Sequence, residues 1–235
     1  LCLSILYAYA ARLDWFAALF LGIKAAVLAI VVQALVRIAG RTLDTAFKRM
    51  LALAAFAGLF LFNLPFPLLV LGAGTIGILV AAWQPQWLNP GQTASPPALG
   101  PRPPLASTLR IILGWVLVWA APMLLVLLTL GTDHELWKIG AFFSKLAVVT
   151  FGGAYAVLAY MAQEAVQSFG WLQPGEMADG LGLAETTPGP LIMVTQFVGF
   201  LAAFRAPEPF TPLVAGLAGA ALTTWVTFAP CFLWI

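Results

Sequence analysis

Charge is scarce in this chain: of 235 residues only 9% are Asp, Glu, Lys or Arg, against roughly 25% in soluble domains. With 62% hydrophobic residues and a mean hydropathy of +0.98, that shortage excludes a water-soluble globular protein. Eleven basic and nine acidic residues nearly cancel, to a formal +2. There is therefore no basic face for nucleic acid and no acidic tail for a basic partner. The two cysteines, Cys2 and Cys231, lie in apolar runs at opposite ends, without metal-ligand spacing or a disulfide framework, and read as small hydrophobes. The lone histidine, His134, sits between Asp133 and Glu135 and reads as a solvated side chain. His-Glu-x-x-His, Gly-x-Ser-x-Gly and paired-Asp motifs are all missing, so no catalytic residue, metal or cofactor is expected, and the chain reads as a non-enzyme.

What the sequence has is long apolar runs, continuous rather than alternating. A bilayer core about 30 Å thick takes roughly 20 apolar residues per helix, whereas barrel strands alternate over about ten residues. The fold class is therefore all-α, a polytopic helical membrane protein with broken or re-entrant half-helices. Residues 1–11 read as the tail of a span whose start is missing, and 15–36 as the first complete span. Arg37, Arg41, Lys48 and Arg49, against Asp44 alone, mark a cytoplasmic loop by the positive-inside rule. Residues 50–62 and 68–83 flank two prolines, Pro65 and Pro67, which break a helical ladder. They predict two short spans or a re-entrant hairpin. Residues 84–108, Pro-rich from 95 to 104, read as a cytoplasmic inter-domain linker. Beyond it come spans at 109–130 and 141–163, the second interrupted at Gly152-Gly153, with a polar external loop at 132–138 between them. A short helix from Pro174, a half-helix from Pro188 to about 204 and a truncated span at 210–233 follow. No basic n-region or cleavage site is read before the first run, so a signal peptide is not expected.

The sharpest local string is Glu185-Thr186-Thr187-Pro188-Gly189-Pro190 running into Leu191. A threonine cap with proline at the first helical position sets a helix start whose N–H groups lack partners and attract anions. Gly189 permits close approach of a ligand, and the Thr186 and Thr187 hydroxyls add donors. A proline-marked turn between packed helices fits the same string. Lys145, Val149, Gly152, Ala156 and Gln163 share a helical face with Gly153 adjacent, which suggests a cavity wall. Lys145 fits substrate binding and snorkelling equally. Lys24, nine residues into its span, is too deep to snorkel easily, and a lysine at the bilayer centre costs about 2.5–3.5 kcal/mol. It is the better candidate for a buried cation. Glu164, Glu176, Asp179 and Glu185 fall within 22 residues, with Glu176 and Asp179 on one face. Beside an anion they suit proton carriage better than ligation, and the roles fall to Glu164, Asp179 and Glu185. An acidic loop in water, with Glu176 as a cap, is the other reading.

Several blocks together resemble a known family. Phe151-Gly152-Gly153-Ala154-Tyr155-Ala156-Val157-Leu158, then Gly170-Trp171-Leu172-Gln173-Pro174, Asp179-Gly180-Leu181, Thr187-Pro188-Gly189-Pro190-Leu191-Ile192 and Phe197-Val198-Gly199 are similar, in order, to the second half of the chromate ion transporters of the CHR superfamily. Ala154 stands where many members show a third glycine, and Glu185-Thr186 where many show Gln-Ala. The resemblance implies two homologous halves joined by a linker, with 1–83 the end of the first, 84–108 the linker and 109–235 the second, truncated. It implies multi-pass inner-membrane transport of chromate, with sulfate as the related dianion, as efflux coupled to protons (antiport) that confers chromate resistance. Gly152, Gly153, Thr186, Thr187, Pro188, Gly189, Pro190, Lys24 and Lys145 would then bind the oxyanion, and Glu164, Asp179 and Glu185 would couple protons. The expected partners are the oxyanion, protons, the lipid bilayer and a second copy in a homodimer. An uncoupled anion channel or a structural membrane subunit is the alternative.

Overall fold

The structure, a computed structural model, describes residues 1–11, 13–62, 64, 66–84, 87, 105–149, 154–186 and 190–233. Among them every regular element is helical. In chain order these are α1 (Cys2–Ala10), α2 (Asp14–Thr42), α3 (Ala46–Phe60), α4 (Phe66–Trp83), α5 (Leu105–Leu130), α6 (Glu135–Val149) and α7 (Ala154–Gln163). After a π-helical turn (Glu164–Ser168) come α8 (Glu176–Thr186), a 3-10 turn (Leu191–Met193), α9 (Val194–Arg205), α10 (Pro212–Phe228) and a closing 3-10 turn (Ala229–Leu233). Three segments, Ala18–Thr42, Ala106–Leu130 and Pro212–Leu233, are long and apolar enough to cross a bilayer. The chain is an all-α multi-pass membrane protein.

Packing divides it into two compact units, Ala29–Arg102 and the combination of Leu1–Leu28 with Pro103–Ile235. In the first, α3 and α4 pack as a hairpin: the Leu64 N–H donates to the Gly58 carbonyl at 3.0 Å, and a Cβ on Gly58 would stand 3.0 Å from the Leu69 side chain. Helix α3 starts four residues before the apolar run because Thr45 caps it, its Oγ1 accepting from the Lys48 N–H at 3.2 Å. Lys48 and Arg49 thus lie inside the helix rather than in a loop. The Lys48 ammonium, 2.7 Å from Asp44, holds that carboxyl below its ordinary value. Helix α2 likewise runs past the predicted end at 36 to Thr42, since arginine ends an apolar run without ending a helix.

In the second unit α9 is the core, with Val194, Thr195 and residues 197–203 buried. Helix α10 crosses it through glycines: a Cβ on Gly199 would stand 3.0 Å from the Gly219 carbonyl, and one on Gly216 2.8 Å from the Phe200 ring. Small residues let backbones approach where lipid supplies no hydrophobic drive. Helix α5 is tied to the last helix by reciprocal indoles, Trp119 donating to the Val226 carbonyl at 3.1 Å and Trp225 to the Val118 carbonyl at 2.9 Å. Helix α8 wedges between α2 and α9, Gly180 facing the Phe197 ring and Gly182 facing Ile23.

Further expectations change. The polar loop at 132–138 is helical from Glu135, and His134 is not simply solvated. Its Nδ1 accepts from the Leu136 N–H at 3.0 Å, so its Nε2–H is the donor to the Glu208 carbonyl at 2.7 Å. Helix α6 ends at Val149 and α7 begins at Ala154, on either side of the interruption expected in the span 141–163 at Gly152-Gly153, residues that lie outside the described set. The helix expected from Pro174 starts at Glu176, after a turn in which Gly175 takes φ +92°, a conformation natural to glycine.

Candidate functional site

The first turn of α8 gathers most of the buried charge. Glu176 opens it, one oxygen accepting from the Gln173 N–H at 2.7 Å, and the i,i+3 spacing puts Asp179 on the same face. Each carboxylate meets a cation from a different helix. Lys24 Nζ, about 15 Å along α2 from its first residue, lies 3.0 Å from Asp179 Oδ1. The Tyr7 hydroxyl, from α1, donates to Asp179 Oδ2 at 2.8 Å. Arg205, the last residue of α9, grips Glu176 with two bonds of 2.7 and 2.8 Å and donates to the Trp171 carbonyl at 2.7 Å. The Trp171 indole in turn donates to Glu135, which also pairs with Lys138 at 3.1 Å. Asp179 is only 5% exposed, so its charge is tolerable only because it is paired.

Burial pushes the Glu176 carboxyl up, but the Arg205 bonds and the Gln173 N–H outweigh it and hold the group below its ordinary value of 4.5. A depressed carboxyl stabilises the fold fully above its unfolded value, and the gain is lost as pH falls through the folded one. Arg205→Ala should therefore cost about 1 kcal/mol near neutral pH, the low end of the penalty for an unpaired charge, because Glu176 is only partly buried and Arg205 is 36% exposed. It should also remove the part of the acid sensitivity that lies below that ordinary value. Arg205→Lys should fall between, keeping charge without the fork. Thermal midpoints of the purified proteins across an acid pH series check this; equal midpoints for Arg205→Ala and wild type at neutral pH would show the pair to be inert.

The residues singled out from sequence fall in separate places. Lys24 and Asp179 come together, though not as a free cation and a free acid. Lys145 and Glu164 meet elsewhere, lining one open hollow of about 440 Å³ with Lys138 and Tyr160; Lys145 Nζ stands 6.0 Å from the Tyr160 ring centre. Thr186 ends α8, its hydroxyl donating back to the Gly182 carbonyl at 2.9 Å. Exposed Pro190 borders a second cavity of about 440 Å³ with Ser4, Gly180, Met193, Gln196 and Phe197. The Phe197 ring lies edge-on to Tyr7, centres 5.1 Å apart, so one wall of that cavity touches the tyrosine that holds Asp179. Glu185 is partly buried near the far end of α8. Gly152, Gly153, Thr187, Pro188 and Gly189 lie outside the described residues. The four acids thus form neither a mutual cluster nor a loop in water.

Sequence reasoning missed Tyr7 and Arg205 as members of this group. The signals were there: a phenol in an apolar run needs a partner for its hydroxyl, and an arginine closing an apolar helix suits the negative helix end. No group of His, Cys, Asp and Glu among the described residues could hold a metal ion.

The family profile described as "Chromate transporter" matches residues 1–78 and 137–235, segments that hold Tyr7, Lys24, Glu176, Asp179 and Arg205. The chain is 26% identical over 229 residues to the "Probable chromate transport protein" of Synechococcus elongatus, covering 94% of this chain and 48% of the relative. It is 30% identical over 160 residues to the "Chromate transport protein" of Cupriavidus metallidurans, covering 67% and 32%. With the protein of that name in Pseudomonas aeruginosa it shares 34% over 118 residues, covering 50% and 25%. The chain thus spans about half or less of the length of these relatives, and no solved structure matches it significantly. With the profile matching most of its length, the chain belongs to the chromate transporter family.

Proposed function

We propose that the chain is part of a secondary transporter that exports chromate, and sulfate as the like-shaped dianion, across the inner membrane with proton coupling, so conferring chromate resistance. The observation that carries this reading is the Lys24–Asp179 pair: a cation and a buried acid, one on a membrane-spanning helix. Intramembrane ionisable pairs mark ion pathways, and relatives of this chain are named for chromate transport. Residues 1–83 and 109–235 belong to two homologous halves joined by 84–108. Lys24 and Lys145, with the Gly152-Gly153 break and the start at Thr186, Thr187, Pro188, Gly189 and Pro190, attract the oxyanion. Glu164, Asp179 and Glu185 are the proton-linked groups, and the protein works as a homodimer.

Direction follows from charge. Two negative charges leaving an inside-negative cell gain about 2.3 kcal/mol each per 100 mV, so roughly 4.6 kcal/mol at 100 mV. Protons entering in exchange for the anion (antiport) would add the pH gradient to that drive, and protons leaving with it would subtract from it. Inside-out vesicles carrying the full-length protein test the reading, with potential and pH gradient imposed separately. Chromate uptake should follow both forces and compete with sulfate, and replacing Pro188 and Gly189 together by alanine should lower it at normal abundance. Uptake that follows potential alone would make the protein an uncoupled channel. Folded protein without uptake would leave a structural subunit.

A further inference from the structure

Lys24 is the open member of its pair. Its side chain is 37% exposed against 6% for Asp179, and the residue beside its ammonium is Gly175, where even a Cβ would stand 3.7 Å from Nζ. An anion can therefore reach the lysine without reaching the aspartate. Asp179 cannot follow the lysine, because Tyr7 holds its Oδ2. Its Oδ1 has no aligned hydrogen-bond donor among the described residues and depends on the ammonium 3.0 Å away. Arg205 cannot replace that cation, since both its terminal nitrogens are committed to Glu176 and the Trp171 carbonyl.

Resting on the transport reading, we propose that Lys24 and Asp179 are an exchangeable pair: a tetrahedral dianion takes over the ammonium while the released Asp179 carboxylate binds a proton, so that anion and proton bind together. The step balances without redox chemistry. An ion pair opens, a new one forms between Lys24 and the dianion, and one O–H bond forms on Asp179 with a proton from solution. The site passes from neutral to a single negative charge. Asp179 touches Lys24 from α2 and Tyr7 from α1, while Glu176 on its own helix and Arg205 from α9 pair with each other and act on Tyr7. Of these only Lys24 is free to leave. Binding of proton and anion must then be reciprocal: acid tightens the anion, and the anion draws in a proton. Antiport through one shared site needs the opposite sign, the proton expelling the anion.

The purified full-length protein tests this with sulfate, which stays a dianion throughout the range used. Sulfate affinity should rise as pH falls, by up to about tenfold per unit, and sulfate added to weakly buffered protein should cause uptake of about one proton per site. Asp179→Asn should bind with the acid-limit affinity at every pH and take up no proton. Lys24→Gln should lose more than about tenfold in affinity. Tyr7→Phe should move the pH dependence upward, because a carboxylate that loses a donor protonates more readily. Sulfate affinity independent of pH without proton uptake, or proton release on binding, would overturn the proposal while vesicle flux upheld transport. Absence of both binding and flux would remove the two together. If Asp179→Asn fails to fold, proton uptake by the wild type decides alone.

Discussion

On the proposed transport role, Lys24→Gln in the full-length protein should cost both stability and transport, and adding Asp179→Asn should return only the first. In the single variant Asp179 stays 5% exposed with Tyr7 as its one remaining donor. Breaking a buried pair costs about 3–5 kcal/mol; the lower end applies because the Lys24 side chain is 37% exposed and the carboxyl can escape by protonation. The double variant places two neutral amides where two charges were, and such replacements are often close to neutral. Its thermal midpoint should lie near wild type. Transport should stay down by at least about tenfold in both variants, since neither presents a cation to the oxyanion. Thermal midpoints and vesicle uptake of the four proteins in the cycle separate the two effects. A double variant that carried chromate at the wild-type rate would reduce Lys24 to a packing charge.

Joint binding of proton and dianion, if both are carried, still permits export. One proton leaving with a dianion gives a net single negative charge, worth about 2.3 kcal/mol at 100 mV. Carrying that proton against one pH unit costs about 1.4 kcal/mol. Outward movement thus remains favourable by about 0.9 kcal/mol, less than the dianion alone would gain. The proton in this scheme is a condition of anion binding rather than the source of drive.

Much of this arrangement was legible in local pattern. The depth of Lys24 in an apolar run demanded a partner, and the i,i+3 spacing of Glu176 and Asp179 put both acids on one face. Local pattern could not say which cation each acid would meet. Lys24 and Asp179 are far apart in sequence and are brought together by the packing of α8 on α2, where Gly182 faces Ile23. Arg205 was passed over, because its role depends on where α9 ends relative to the first turn of α8. His134 looked solvated from its acidic neighbours; its partner, the Glu208 carbonyl, lies in a loop joined to it only by the fold. Helix ends were misjudged at Val36 and Glu135 for a simpler reason. Loss of hydrophobicity marks where a membrane core ends, and a helix can begin or continue in polar sequence on either side.

The glycine seam under α9 should decide whether the charge pairs form at all. Gly219→Ala places a Cβ against the Gly199 carbonyl and 2.6 Å from the Ala203 Cβ, and neither obstacle can rotate away. Alanine gains about 1 kcal/mol over glycine in a helix, whereas overpacking a tight contact costs typically about 1–3 kcal/mol. The net effect should be destabilising. Gly114→Ala, on an open face of α5 with nothing within 4 Å of the new Cβ, meets only the favourable term and should leave the midpoint unchanged or raised. Gly219→Leu should abolish the folded protein. The seam reaches the site through α9 itself: any shift of this helix carries Phe197 away from Tyr7 and Arg205 away from Glu176. Thermal midpoints by size-exclusion chromatography in detergent provide the comparison. Equal midpoints for Gly219→Ala and Gly114→Ala would mean that α9 and α10 are not in backbone contact, and that Arg205 is held in place by something other than this crossing.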